Sequence, residues 1–295
     1  MEKKFVYFSV ALLMISLMAV SVTSAGYLDK FVTGKATSQL TNVTVDVKGI
    51  HIIDSVTIDD MTGNYTPIEA GLAYVPATVR VSDPDGAYDV DPTSVKIWFS
   101  KAGEATRSDL SCDYVNIVSD EAVFLCNVSM EYYDANAADW SALATATDKG
   151  NGTYVNSTVP VTFTYNQLKA MTIAPSSISW GTLNAADTDQ PATNDPTTIT
   201  NTGNYNDTVD LTGLTLLGTN LIDEFPAADF TVGISDPACG GQALVNASLI
   251  TVTDSISSRG PGATEEFYYC IPTVPNLPTQ EYSTANAGGS WIVSY

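Results

Sequence analysis

The residues of this sequence that could do chemistry are few. The densest group is Asp83-x-Asp85-Gly86-x-x-Asp89-x-Asp91, four carboxylates within nine residues. Aspartates two apart on a flexible loop can converge on one hard cation, which makes Asp83, Asp85, Asp89 and Asp91 calcium candidates. The order is not that of an EF-hand loop, because Gly86 comes early and no Glu closes the loop at the expected distance. The same letters also spell an Asp-Pro and Asp-Gly turn, so the loop carries two readings. Asp59-Asp60 would add ligands only if the fold brought them near. Glu265-Glu266 and Asp223-Glu224 offer further carboxylate pairs. Glycosidase chemistry requires two carboxyls at a set separation across a cleft, whereas adjacent like charges are usually just solvated. No catalytic residue is assigned and no cofactor is expected beyond that calcium.

Most other chemistries lose their usual residues, since the chain has one His, His51, and four Cys. Four Cys allow three pairings. Cys112 and Cys126 are equidistant from Ser119, and Val118-Ser119-Asp120 reads as a short hairpin loop between two strand-like runs. That register sets the two sulfurs on opposed cross-strand residues, close enough to bridge. Cys239 and Cys270 then pair by elimination. Neither pair forms a C-x-x-C, so the expectation is two staples in an oxidising compartment rather than a redox site.

Charge sets the partners. With 33 Asp plus Glu against 12 Lys plus Arg, a formal net charge of -21, the chain lacks the basic footprint that nucleic acid requires. The same field repels anionic headgroups, so a membrane is a partner only if the N-terminal segment stays attached to one. Seven Asn-x-Ser/Thr sequons occur, at Asn42, Asn64, Asn127, Asn151, Asn156, Asn206 and Asn246. Chance predicts about three to four from 17 Asn and 62 Ser plus Thr in 295 residues. They are glycosylation candidates, or the product of a Thr-rich and Asn-rich surface. Tyrosine is the commonest aromatic, 15 against 9 Phe and 4 Trp. In the doublets Tyr132-Tyr133 and Tyr268-Tyr269, a strand would turn one ring inward and one outward.

The elements that must position these residues read as all-β. Glu2-Lys3-Lys4, the apolar run Phe5 to Val20, and small residues at Thr23 and Ala25 predict a signal segment over 1–25, cleaved before Gly26 or retained as an anchor. Residues 26–40 read as a linker or N-terminal tail. From Asn42 to Val47 polar and apolar residues alternate with period two, the mark of a half-buried strand. Strand-like runs follow at 50–58, 73–81, 94–99, 114–118, 122–130, 140–147 and 154–165, separated by turn-rich segments. More follow at 171–173, 178–183, 197–202, 208–217, 230–234, 243–251, 264–271 and 290–295. A strand every dozen or so residues with no sustained helical period predicts two tandem immunoglobulin-like antiparallel β-sandwiches, over 41–168 and 169–295. Lys169 is the last lysine, and Arg259 is the only cation after it, against thirteen carboxylates.

Ala174-Pro175-Ser176-Ser177-Ile178-Ser179-Trp180-Gly181-Thr182-Leu183, followed by Thr198-Ile199-Thr200-Asn201-Thr202-Gly203-Asn204, resembles the opening pattern of the ASH and major-sperm-protein-like immunoglobulin-type domains. It departs from that pattern in Trp180, where Phe is usual, and in a longer polar insert from Asn184 to Asp195. Val81-Ser82-Asp83-Pro84-Asp85-Gly86 and Ala144 to Gly152 resemble the immunoglobulin-like repeats of bacterial and archaeal surface proteins. The first resemblance implies a binding or structural β-sandwich, and the second implies a secreted surface protein. Gly181 and Gly203 suit positive φ at turns, and Trp180 offers a large core plug. The expectation is a non-enzymatic exported protein at the cell surface or envelope, structural, adhesive or binding, whose partner is a protein or a glycan. One rival is a fibre subunit in which Ala36 to Val47 completes a neighbour's sheet. Another is a secreted hydrolase, or its carbohydrate-binding accessory, working with carboxylates alone.

Overall fold

A computed structural model describes residues 44–45, 47–58, 63–149, 154–157, 160–255 and 258–295. The signal segment, the linker, Asn42, Asn151, Asp59 and Asp60 lie outside the described residues, as do Val43 and Asp46 of the expected strand over 42–47. Thr44, Val45 and Val47 are exposed and lie in no strand. The fold is all-β, and no α-helix occurs among the described residues.

The first core is built from β1 (Ile52–Ile58), β2 (Asn64–Tyr65), β3 (Leu72–Ser82), β4 (Lys96–Ser100), β5 (Arg107–Asp109), β6 (Asp113–Val118), β7 (Glu121–Glu131), β8 (Ala137–Thr147), β9 (Tyr154–Asn156) and β10 (Val161–Tyr165). One sheet runs β1-β3-β7-β6; the other runs β2-β10-β8-β4-β5, with β9 also on β8. Strict alternation puts Val75, Ala77, Val79 and Val81 of β3 on the buried face. They pack with Phe124 of β7 against Ile97, Phe99, Trp140 and Phe163 of the facing sheet. Fully burying side chains of this size stabilises by about 1.5–3 kcal/mol each. Among the described residues β1 pairs with β3 only as far as Ala77, so no described strand needs an N–H from Pro76 on that side.

The second core comprises β11 (Met171–Ala174), β12 (Thr188–Pro191), β13 (Thr197–Asn201), β14 (Asp210–Thr212), β15 (Leu216–Gly218), β16 (Glu224–Phe225), β17 (Thr231–Gly233), β18 (Gln242–Ala243), β19 (Leu249–Thr251), β20 (Thr264–Thr273), β21 (Tyr282–Ser283) and β22 (Ile292–Ser294). A sheet β11-β13-β20-β17-β18, with β12 also on β20, is joined by the small sheets β19-β14-β22 and β16-β15-β21. Ile199, Leu211, Phe230, Val232, Phe267, Tyr269 and Ile271 fill it. The expected strand over 178–183 does not form, and strand structure appears instead in the polar insert, as β12. The segment is held without a ladder: the Trp180 indole N–H donates to the Gln190 carbonyl at 3.1 Å, its ring lies tilted on Phe230 and edge-on to Trp291, the Ser179 carbonyl accepts from the Thr193 N–H at 2.8 Å, and the Asn194 amide bonds Ser179 N–H and the Ser177 carbonyl at 3.0 and 2.6 Å. The run over 208–217 breaks into β14 and β15, and the run over 154–165 into β9 and β10.

A polar junction ties the two cores together. Ala70 N–H donates to Thr202 O at 3.0 Å, Thr202 Oγ1 to Glu69 at 2.8 Å, and Asn204 Nδ2 to the carbonyls of Asp134 and Asn166 at 3.1 and 2.9 Å. Arg259 crosses the junction to Glu104, with Nη2 to Oε1 at 2.6 Å and Nη1 to Oε2 at 3.1 Å, and donates to Tyr133 O at 2.8 Å. Gly203 is not at positive φ, and neither is Gly181. Gly203 serves close approach instead, since a Cβ there would lie 2.1 Å from the Leu168 carbonyl oxygen.

Candidate metal centre

The Asp83-Pro84-Asp85-Gly86 segment does form a turn. Gly86 N–H donates to Asp83 O at 2.9 Å, Asp85 N–H to Asp83 Oδ1 at 2.8 Å, and Gly86 takes φ 108, which glycine adopts without a Cβ penalty. The loop is stitched to the end of β8: Asp91 N–H bonds Thr147 O at 2.9 Å, Lys149 N–H bonds Asp89 O at 2.7 Å, and Val90 bridges Asp148. On its other side lies the chain entering β1. Gly49 N–H donates to Asp85 Oδ2 at 2.7 Å, and any Cβ on Gly49 would meet Pro84 at 2.7 Å, so the two segments touch because residue 49 has no side chain.

These contacts place two overlapping groups at one end of the first sandwich. Asp83, Asp85 and Asp89 bring one carboxylate oxygen each within 4.8 Å of one another. Asp91 does not join them: its Oδ1 accepts both the backbone N–H and the hydroxyl of Thr93, at 2.9 and 2.8 Å. Those bonds hold its carboxyl below the usual range. Of the four calcium candidates, three therefore converge and the fourth closes its own turn. Each of the three already has a partner, Asp83 Oδ1 in the Asp85 N–H, Asp85 in Gly49 and Asp89 in Lys48 Nζ at 3.1 Å.

The second group was not legible as a set. One ring nitrogen of His51 and one carboxylate oxygen each of Asp83 and Asp148 lie within 4.8 Å of one another, and all three residues are buried. His51 is fully buried, and neither Nδ1 nor Nε2 has a hydrogen-bond partner; Asp83 Oδ2 is likewise buried without one. A signal existed for His51, which shares inward strand parity with Ile53 at the start of an apolar run. Asp148 gave none, because Asp148-Lys149-Gly150 reads as a turn.

The other sequence candidates scatter. Cys112 and Cys126 form one disulfide and Cys239 and Cys270 the other, with Cα separations of 4.4 and 4.9 Å. Asn64, Asn127, Asn156, Asn206 and Asn246 are all exposed. Glu265 and Glu266 follow one another on β20, opposite Ile199 and Thr198, so their side chains leave opposite faces. Asp223 accepts from the Asn220 and Gln280 amides at 2.5 and 2.9 Å. Tyr269 is buried and Tyr268 is not, as a strand doublet requires, but Tyr132-Tyr133 sits in the turn after β7 with the rings edge-on at 5.0 Å. No protein-family model matches the chain, and no curated protein matches it in sequence.

Proposed function

We propose that this is an exported, non-enzymatic protein of the cell surface or envelope, acting as a structural and adhesive module through its two β-sandwiches. The observation that carries this reading is the pair of disulfides, which use all four cysteines of the chain. Disulfides persist in oxidising compartments and are rare where thiols are kept reduced. The basic and apolar N-terminal segment, the exposed sequons and the net charge of -21 agree with a glycosylated, soluble exterior. The polar junction suits a module whose sandwiches must present a fixed surface to a protein or glycan partner.

The test has two arms. Membrane-impermeant biotinylation of intact producing cells should label the chain, and mass spectrometry should find no free thiol in it. Beads coated with the full chain should bind isolated envelopes of those cells, and beads coated with reduced, carboxymethylated chain should not. Recovery from the cytosol with four free thiols overturns the export reading. Equal binding by native and carboxymethylated chain overturns the adhesive one.

A further inference from the structure

We propose that His51, Asp83 and Asp148 form a binding site for one divalent cation of the zinc class, which pins the two sheets of the first sandwich together at one end. The argument begins with cost. Imidazole and carboxylate groups removed from water are retained when hydrogen-bonded, ion-paired or bound to a metal. His51 is fully buried with both ring nitrogens unpartnered, and Asp83 has a buried oxygen in the same condition. That imidazole sits within 4.8 Å of the carboxylate oxygens of Asp83 and Asp148. Two carboxylates so close repel each other, and a dication between them reverses the sign of that interaction.

Ligand type decides which cation. Calcium takes about six to eight oxygen ligands in an adaptable shell, and an imidazole nitrogen is foreign to it. Imidazole with carboxylates suits zinc and its neighbours, and three protein ligands leave a fourth position for water. Ligands about 2.0–2.2 Å from an ion in a tetrahedral array lie roughly 3.5 Å apart, so three atoms already within 4.8 Å of one another need close by little more than about 1 Å. The three ligands come from distant parts of the chain. His51 precedes β1 and Asp83 follows β3, both in one sheet, while Asp148 follows β8 in the other. An ion here links the sheets as a disulfide would. Asp83 is common to this group and to the neighbouring one, but Asp85 and Asp89 bring no orphaned atom of their own, being bonded to Gly49 and Lys48, and are not part of the site.

A single histidine makes the test clean. Tag-free, full-length protein labelled with 15N and freed of metal gives one set of imidazole signals, all from His51. Titration with zinc chloride in a large excess of magnesium chloride should shift those nitrogens and saturate at one equivalent. Calcium chloride should not move them. His51→Gln should weaken zinc binding by at least ~10-fold, since loss of even an outer-shell partner costs that much. Asp85→Asn combined with Asp89→Asn should leave the affinity within about threefold. Imidazole signals unmoved by zinc overturn the site, as does unchanged affinity in His51→Gln. A shift produced by calcium and not by zinc also overturns it. The imidazole readout uses the unaltered chain, so it decides the matter even if a variant fails to fold.

Discussion

Arg259 is the one cation in the last 126 residues of the chain, and it reaches across the junction to Glu104. Replacing it by Met keeps the aliphatic stem and removes the two bonds to Glu104 and the one to Tyr133 O. A fully exposed pair would be worth about 0–1 kcal/mol, whereas stripping one partner from a buried pair costs about 3–5 kcal/mol. With side-chain exposures of 28% for Arg259 and 13% for Glu104, the junction lies between these limits and nearer the second. Arg259→Met should therefore cost roughly 2–3 kcal/mol, or about 5–10 °C in melting temperature for a chain of this size. Glu104→Gln, which keeps an acceptor, should cost about 1–2 kcal/mol. The double variant should be little worse than Arg259→Met alone, giving a coupling energy of about 1–2 kcal/mol in urea unfolding. The Arg259 hydrogen bond holds the Glu104 carboxyl below its usual range. The pair's contribution is therefore present above about pH 4.5 and is lost as pH falls through the lowered value, so the Arg259→Met deficit should shrink in acid. Additivity of the two changes within about 0.5 kcal/mol, or a single-variant cost below that, would refute the claim that this pair ties the cores.

Two further outcomes follow from the second core. Burial pushes the Asp195 carboxyl up to about 6 from 3.8, so the folded chain binds that proton more tightly than the unfolded chain, and stability is lost as pH rises through about 6. Asp195→Asn keeps an acceptor for the Tyr269 N–H and should stabilise by about 1–2 kcal/mol at pH 7 after allowance for solvent screening, with little gain at pH 4; equal gains in melts at both values would dismiss the burial explanation. Gly203→Ala forces a methyl to within 2.1 Å of a backbone oxygen and should cost about 3 kcal/mol, whereas Gly181→Ala, with nothing within 4 Å, should stay within about 0.5 kcal/mol by the same denaturant assay.

Period-two alternation made the long strands legible because β3, β7 and β8 each bury one face against the opposite sheet. The cysteine register was legible for a subtler reason. The β6–β7 turn has two residues, Ser119 and Asp120, both at positive φ, with Val118 opposite Glu121. On that register Cys112 would miss Cys126 by one residue. A bulge between Tyr114 and Asn116 absorbs the difference, so that Asp113 faces Leu125 and the cysteines meet. Local symmetry found the pair while misplacing the turn. What stayed hidden depends on contacts beyond a strand's own length: the bonds from Gln190, Thr193 and Asn194 that hold the segment around Trp180 outside a ladder, and the approach of His51 and Asp148 to Asp83. Nothing within a short window reports that Gly49 lets the entering chain press against Pro84.

Scarcity of positive charge explains where the cations sit. A net charge of -21 opposes compaction, and twelve cations cannot neutralise thirty-three carboxylates pair by pair. Arg107 instead holds Asp134, a carboxylate only 1% exposed, through Nε at 2.9 Å and Nη2 at 2.6 Å, while Asp134 also accepts the Glu131 N–H at 2.8 Å. Arg259 holds Glu104 beside it, and the Asp134 carbonyl receives Asn204 from the second core. These two guanidiniums serve part-buried or buried carboxylates at the same junction, where desolvation makes an unpaired charge most costly, while the third, Arg80, holds the more exposed Glu121 at 3.1 Å. Lysines take shallower places, such as Lys48 on Asp89 at the rim of the aspartate turn and Lys169 on Asp207. Asp83 makes no ion pair among the described residues, although it is nearly as buried as the carboxylates that the arginines serve. A chain that sends Arg107 and Arg259 to desolvated carboxylates leaves Asp83 without a guanidinium, and the imidazole beside it suits a dication that accepts nitrogen.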